Sequence, residues 1–181
     1  MRVKAAIVGA AIALALVLAV VASGQFGTRR RISPHETTSG AVDSAALSIT
    51  YGRPSMRGRK IFGELVPYGR VWCPGADEAT TLTSDRPLKI GDLALAPGSY
   101  TLWMLPEAGD WMLVVNKQTN VFHTRYNSSY DLGRIKLEKK ALASPVEQLT
   151  FAIVKNPAGA GGLINMTWET TEVSAPFTVG Q

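Results

Sequence analysis

The chain has 181 residues, 46% of them hydrophobic, with one cysteine and a formal net charge of +5. A single cysteine excludes an internal disulfide, so the fold has to rest on packing. Beyond Ile32, 14 Lys and Arg stand against 14 Asp and Glu, because the first 31 residues hold the whole basic excess. The remaining chain therefore lacks the charge that nucleic-acid binding requires, and we expect no nucleic-acid partner.

The first 23 residues predict an export signal. Arg2 and Lys4 precede an apolar run over residues 5–22, and small residues follow where a signal peptidase could cut. The run is also long enough to span a bilayer, so a signal anchor is the alternative to a cleaved signal peptide. We expect residues 24–40 to be a tether and 41–181 the folded domain. The protein is then periplasmic or extracellular, or is held to the membrane by its N-terminal helix.

From residue 45 onward the apolar residues recur with a period of two. Leu47, Ile49 and Tyr51 alternate with polar residues, and similar runs follow at 100–104, 135–137, 149–153 and 173–179. "DWMLVVN" is apolar on both sides, as in a central strand covered on both faces. Eight to ten short strands without helical patterns predict an all-β fold, a single antiparallel β-sandwich or jelly-roll-like domain.

A long irregular segment at 52–69 interrupts these strands, and such segments are often functional. It carries the cations Arg53, Arg57, Arg59 and Lys60. One interpretation is an anion pocket, because arginine presents a bidentate fork to carboxylate, sulfate or phosphate. The structural alternative is that Asp77 and Glu78 pin the segment through ion pairs.

The four tryptophans also have two interpretations. They could form a platform on which a glycan stacks, or most of them could fill the core. They are Trp72, Trp103, Trp111 and Trp168.

Several motifs in order resemble one family. They are "YGRPSMRGRKIFGELVPYGRVW", "GADEATTLT", "LAPGSYTLWMLP", "WMLVVNKQT", "DLGRIKL", "PVEQLTF" and "WETTEVSAPFTV". Over residues 33–179 the chain is similar to the exported bacterial proteins of domain of unknown function 2911. The resemblance implies a β-sandwich and no assigned activity. Family members commonly carry an arginine in place of Cys73 and a glycine-like turn in place of His123, which implies a subgroup with a thiol and an imidazole.

Cys73, His123 and His35 are candidate metal ligands. One thiolate with two imidazoles suits copper first and zinc second. The residues lie 38 and 50 positions apart, so only the tertiary fold could bring them together. The alternatives are that Cys73 is a small buried hydrophobic residue, or that it is the nucleophile of a Cys/His-dependent enzyme.

We therefore hypothesise a non-catalytic, extracytoplasmic β-sandwich protein that binds one metal ion through Cys73, His123 and His35. A metal-free module that binds an anion or a glycan through the basic segment is the alternative. The sequence names no protein partner, and contact with a membrane depends on whether the N-terminal segment is retained.

Overall fold

Nine β-strands, all paired antiparallel, make up most of the part of the chain that the computed structural model describes, residues 31–180. The predicted signal segment and residues 24–30 of the predicted tether lie outside these residues. Within residues 31–180 no helical segment has the length and hydropathy that a bilayer crossing needs. The prediction of an all-β antiparallel fold with eight to ten strands is confirmed.

The strands follow the chain in this order: β1 (His35–Val42), β2 (Ala45–Gly52), β3 (Thr81–Ser84), β4 (Leu88–Ile90), β5 (Leu93–Leu95), β6 (Gly98–Leu105), β7 (Trp111–Asn116), β8 (Asp131–Lys155) and β9 (Gly162–Val179). A short 3-10 turn, Ser128–Tyr130, precedes β8. The described strands form one sheet in the order β1-β2-β3-β6-β7-β8-β9-β4-β5.

The two long strands β8 and β9 fold this sheet over itself. The first part of β8 pairs with β7, and the rest pairs with β9 across register shifts between Ala141 and Thr150, a stretch that contains Pro145. Beyond these shifts β8 reaches the face of β2, where the Phe151 amide donates to the Tyr51 hydroxyl at 3.0 Å. The folded sheet encloses one large apolar core, as a β-sandwich does. We call this core the inner cluster; its buried members include Ile49, Leu102, Trp111, Phe151 and Phe177.

The strands that follow the period-two pattern bury the predicted residues. Leu47, Ile49 and Tyr51 are each no more than 2% exposed. Strand β6 differs, because Thr101 and Trp103 on its other face are also buried. A second apolar group, the outer cluster, covers that face; its buried members are Cys73, Ala79, Trp103 and Val114.

Residues 53–80, which we call the connection, join β2 to β3 without a regular strand. This connection is longer than the irregular segment that the sequence predicts at 52–69. Ile61, Phe62 and Val66 are buried in the inner cluster, and the Phe62 ring lies 4.6 Å from the Trp111 ring, centroid to centroid. Cys73 lies in this connection rather than in a strand.

The predicted tether is wrong at its C-terminal end. His35 to Gly40 belong to β1, which pairs with β2 along its whole length. Polar Thr and Ser residues hide the strand from a pattern search, since β1 is an edge strand that exposes much of its surface. The folded domain therefore begins before residue 41.

Candidate functional site

Two carboxylates hold the connection against the long strands. An oxygen of Glu147 accepts the Arg57 amide at 2.9 Å. The two oxygens of Glu169 accept the amides of Ile61 at 3.1 Å and Phe62 at 3.4 Å. Carboxylates that accept main-chain N–H groups form charge-assisted hydrogen bonds, which are stronger than neutral ones. Neither acid is predictable from the sequence, because nothing in the local pattern around them indicates this role.

The four cations of the basic segment have different surroundings. Arg53 is structural, since it donates to the Glu36 carboxylate at 2.7 Å and to the Leu149 carbonyl at 3.2 Å. Lys60 pairs on the surface with Glu64 at 3.5 Å. Only Arg57 and Arg59 of the four line the large pocket described next.

This pocket, of about 770 Å³, lies beneath the connection. Its polar lining includes Ser55, Arg57, Arg59, Asp77 and His123. The volume falls in the range of small-molecule sites, roughly 300–1,000 Å³. The pocket thus combines two cations with one acid and one imidazole.

Arg57 occupies an unusual backbone conformation. Its φ is 52° and that of Gly58 is 70°, and the Arg59 amide closes the turn on the Met56 carbonyl at 3.1 Å. The left-handed region costs a residue with a Cβ about 1–2 kcal/mol. The Arg57 guanidinium has no hydrogen-bond or ion-pair partner among residues 31–180. The turn therefore holds an unpaired cation at the pocket.

Arg59 is fixed by its own segment. Its Nε donates to the Met56 carbonyl and one terminal nitrogen donates to the Ser55 carbonyl, both at 2.8 Å. These bonds orient the guanidinium plane without neutralising its charge. Arg59 thus adds a positioned positive charge near the Arg57 guanidinium.

Stacked indole rings line the same pocket. The rings of Trp72 and Trp168 lie 6.0 Å apart at 15°, and the edge of Phe62 approaches both. Trp168 is buried and donates from Nε1 to the Glu147 carbonyl at 3.2 Å, while Trp72 is partly exposed. Trp103 and Trp111 fill the core, so the expectation that most tryptophans are core residues is confirmed.

Residues 33–177 match the family model described as "Protein of unknown function (DUF2911)". The chain belongs to this family. No curated protein and no solved structure matches it. The DUF2911 match covers the connection and the pocket together with the strands, which confirms the predicted resemblance. That Cys73 and His123 mark a subgroup of DUF2911 stays a prediction.

The acids predicted to pin the basic segment pair with a histidine instead. Nε2 of His35 lies 3.0 Å from the Glu78 carboxylate and 3.5 Å from that of Asp77. The carboxylates that hold the connection in this DUF2911 chain are Glu147 and Glu169. The prediction erred because the two acids lie close after the basic segment in sequence, whereas the fold turns them towards His35, the first residue of β1.

The three predicted metal ligands fall into two places. Cys73 and His123 line the pocket, whereas His35 lies with Asp77 and Glu78. His123 is engaged, since its amide donates to the Asp77 carbonyl and its Nδ1 faces the same oxygen, both at 2.9 Å. Among residues 31–180 no group of three or more His, Cys, Asp or Glu could hold a metal ion. The metal hypothesis is left without structural support.

Cys73 behaves as a buried thiol. It is 1% exposed, and its sulfur accepts the Thr80 amide at 3.4 Å. Burial raises the pKa of Cys73 to about 11. Cysteine nucleophiles are thiolates, which need a lowered pKa. The environment of Cys73 therefore favours the interpretation as a small core residue over a nucleophile.

Proposed function

We propose that this DUF2911 protein is a metal-free binding module that takes a small anionic ligand in the pocket beneath the connection. The observation that carries the proposal is Arg57, whose guanidinium has no partner within the described residues 31–180 and is presented at the pocket by a left-handed turn. Arg59 supplies a second, oriented cation. Arginine forks recognise carboxylate, sulfate and phosphate groups through paired hydrogen bonds.

The backbone around the pocket supports a binding role. Five described residues other than glycine have a positive φ; two of them, Arg57 and Asp77, line the pocket, and a third, Glu169, anchors the connection. Strained backbone persists only where the surrounding structure enforces it, and it clusters at functional sites. An unstrained glycine at position 57 would make the same turn but would lose the cation.

We also propose that the protein works outside the cytoplasm, delivered or anchored by residues 1–23. The basic, apolar and small residues of that segment support this location. The buried, protonated thiol of Cys73 is compatible with it, because oxidants attack exposed thiolates first.

The test uses sulfate as the probe. Nitrogen-15 NMR follows the Nε–Hε signals of the arginines while sulfate is titrated into the protein, and we expect the Arg57 and Arg59 signals to shift together. Arg57→Gln should weaken sulfate binding at least tenfold, since a hydrogen bond to a charged group contributes about 1.5–3 kcal/mol. The matched control is Arg70→Gln, an exposed arginine of the same connection outside the pocket lining.

Arg57→Gly separates binding from folding. It removes the cation and the left-handed strain together, so stability should stay within about 1 kcal/mol while sulfate affinity falls as in Arg57→Gln. Sulfate shifts that are the same in wild type, Arg57→Gln and Arg70→Gln would overturn the proposed function.

A further inference from the structure

We propose that the natural ligand is an organic carboxylate with a flat apolar body, whose acid group binds Arg57 and whose body lies against Trp72. This inference rests on the proposed anion site and specifies the class of ligand that the site takes. It excludes both an inorganic anion and a sugar acid as the ligand for which the pocket is shaped.

The size of the pocket argues against an inorganic anion. A single sulfate or phosphate ion fills only a small part of a space of about 770 Å³. A ligand that leaves most of such a space to water gains little from the remaining walls. The two arginines account for the acid group, and the rest of the pocket requires a larger body.

The remaining walls are largely apolar. Leu65, Val66, Val71, Trp72 and Trp168 line the pocket, and Leu65 is still 47% exposed. Covering exposed apolar surface contributes roughly 25 cal/mol per Å². A ligand body that covers Leu65 and the open part of Trp72 would therefore gain affinity from contacts that water cannot supply.

The indole of Trp72 is held as a flat surface. It stacks on Trp168 at 15°, and Trp168 is itself tied to the Glu147 carbonyl. A surface fixed in advance loses little conformational entropy when a ligand stacks on it. This arrangement favours a planar ring over a flexible chain.

Apart from Arg57, the charged and imidazole groups of the pocket already have neighbours within the protein, which leaves a sugar acid chiefly the hydroxyls of Ser33, Ser55 and Thr124. Arg59 donates to two carbonyls of its own segment, and His123 binds the Asp77 carbonyl through its amide and faces it through Nδ1. The Asp77 carboxylate lies 3.5 Å from the His35 imidazole. A ring that carries several hydroxyls would leave many of them without hydrogen bonds, and unmade buried hydrogen bonds are costly.

The test compares three carboxylates of equal charge by calorimetry: acetate, glucuronate and indole-3-acetate. We expect indole-3-acetate to bind at least about tenfold more tightly than either of the others. Its binding should show a negative heat-capacity change, which marks the burial of apolar surface. Arg57→Gln should weaken all three, because they share the acid group.

Two variants at the apolar wall complete the test. Leu65→Ser should weaken indole-3-acetate about threefold or more and leave acetate unchanged, and Trp72→Phe should act in the same direction. Leu65→Ser is the safer variant because Trp72 packs against Phe62. The matched control is Leu132→Ser, a leucine 40% exposed that does not line the pocket.

The outcomes separate the two proposals. Two results would contradict the inferred apolar ligand body and leave the anion site in place. One is that glucuronate or acetate binds as tightly as indole-3-acetate, and the other is that Leu65→Ser has the same effect as Leu132→Ser. If Arg57→Gln leaves the affinity for all three carboxylates unchanged, the anion site itself is overturned.

Discussion

Two glycine-containing segments leave the sheet, and they differ in how much of each is anchored to the rest of the protein. The connection 53–80 places Ile61 and Phe62 in the inner cluster and is tied down by Glu147 and Glu169. The turn at 156–161, between β8 and β9, exposes residues 157–160 and closes on itself, with the Asn156 amide donating to the Gly161 carbonyl at 3.0 Å. Its end at Gly161 is anchored by the Asp43 carboxylate, which accepts the Gly161 amide at 3.0 Å.

The difference bears on where a binding site can be built. A tight turn needs few contacts beyond its own backbone, but it presents little surface to a ligand. A long connection offers surface, and it stays ordered only if the body of the protein supplies anchors. The pocket lies beneath the connection, where those anchors are. Substitutions in the two segments should therefore change the free energy of unfolding by different amounts.

Phe62→Ala should be the most damaging change in the connection. Removal of a buried phenylalanine leaves a cavity and costs about 3–5 kcal/mol of unfolding free energy. The matched control is Phe122→Ala, because Phe122 is 38% exposed and Phe62 only 4%. Urea unfolding measures both variants, and equal losses would show that the connection is not anchored by its buried ring.

Raising the pH should destabilise the far end of the connection through Cys73. Burial holds the pKa of Cys73 at about 11 in the folded state, against 9.0 for an ordinary thiol. Because the folded pKa is raised, the contribution is fully present below pH 9 and is lost as the pH rises towards 11. The loss is on the order of 2–3 kcal/mol, at about 1.4 kcal/mol per pKa unit.

The measurement for Cys73 is a difference between two proteins. Urea unfolding of wild type and of Cys73→Ala at several values of pH isolates the thiol from the other groups that titrate. Parallel pH profiles for the two proteins would contradict the raised pKa.

Glu169→Gln should loosen the connection by about 1–2 kcal/mol, since it weakens a charge-assisted acceptor for two amides. Glu172→Gln is the control on the same strand, because Glu172 makes a surface pair with Lys140 at 3.2 Å. Such pairs contribute about 0–1 kcal/mol. Hydrogen exchange at the amides of Ile61 and Phe62 should speed up in the first variant and not in the second.

Two alanine substitutions compare the segments directly. A Cβ at Gly58 or at Gly159 would meet no atom within 4 Å, but Gly58 has a φ of 70° and Gly159 has no positive φ. Gly58→Ala should therefore lose about 1–2 kcal/mol from left-handed strain. Gly159→Ala should gain about 0.4–1 kcal/mol, because alanine restricts the unfolded chain. Thermal unfolding resolves both, and the same sign for both would show that φ does not decide these positions.

Local pattern was sufficient for most of the strands. Leu47, Ile49 and Tyr51 are buried as their spacing predicts, and so are Ile135 and Leu137. The reason is that side chains alternate across a strand wherever one face meets the core and the other meets water. Strand β1 does not show this pattern because it lies at an edge of the sheet, and β6 does not show it because the outer cluster covers its second face.

The basic segment was identified from sequence, but the roles of its cations were not. Composition marked Arg53, Arg57, Arg59 and Lys60 as equivalent candidates for an anion site. The fold separates them: Arg53 is bound by a carbonyl 96 residues away, whereas Arg57 keeps its guanidinium unpaired at the pocket. Glu147 holds the Arg57 amide from 90 residues away and Glu169 the Ile61 amide from 108. Alternation is a property of neighbouring residues and can be read along the chain, while the pairing of a charge depends on contacts that exist only once distant strands have come together.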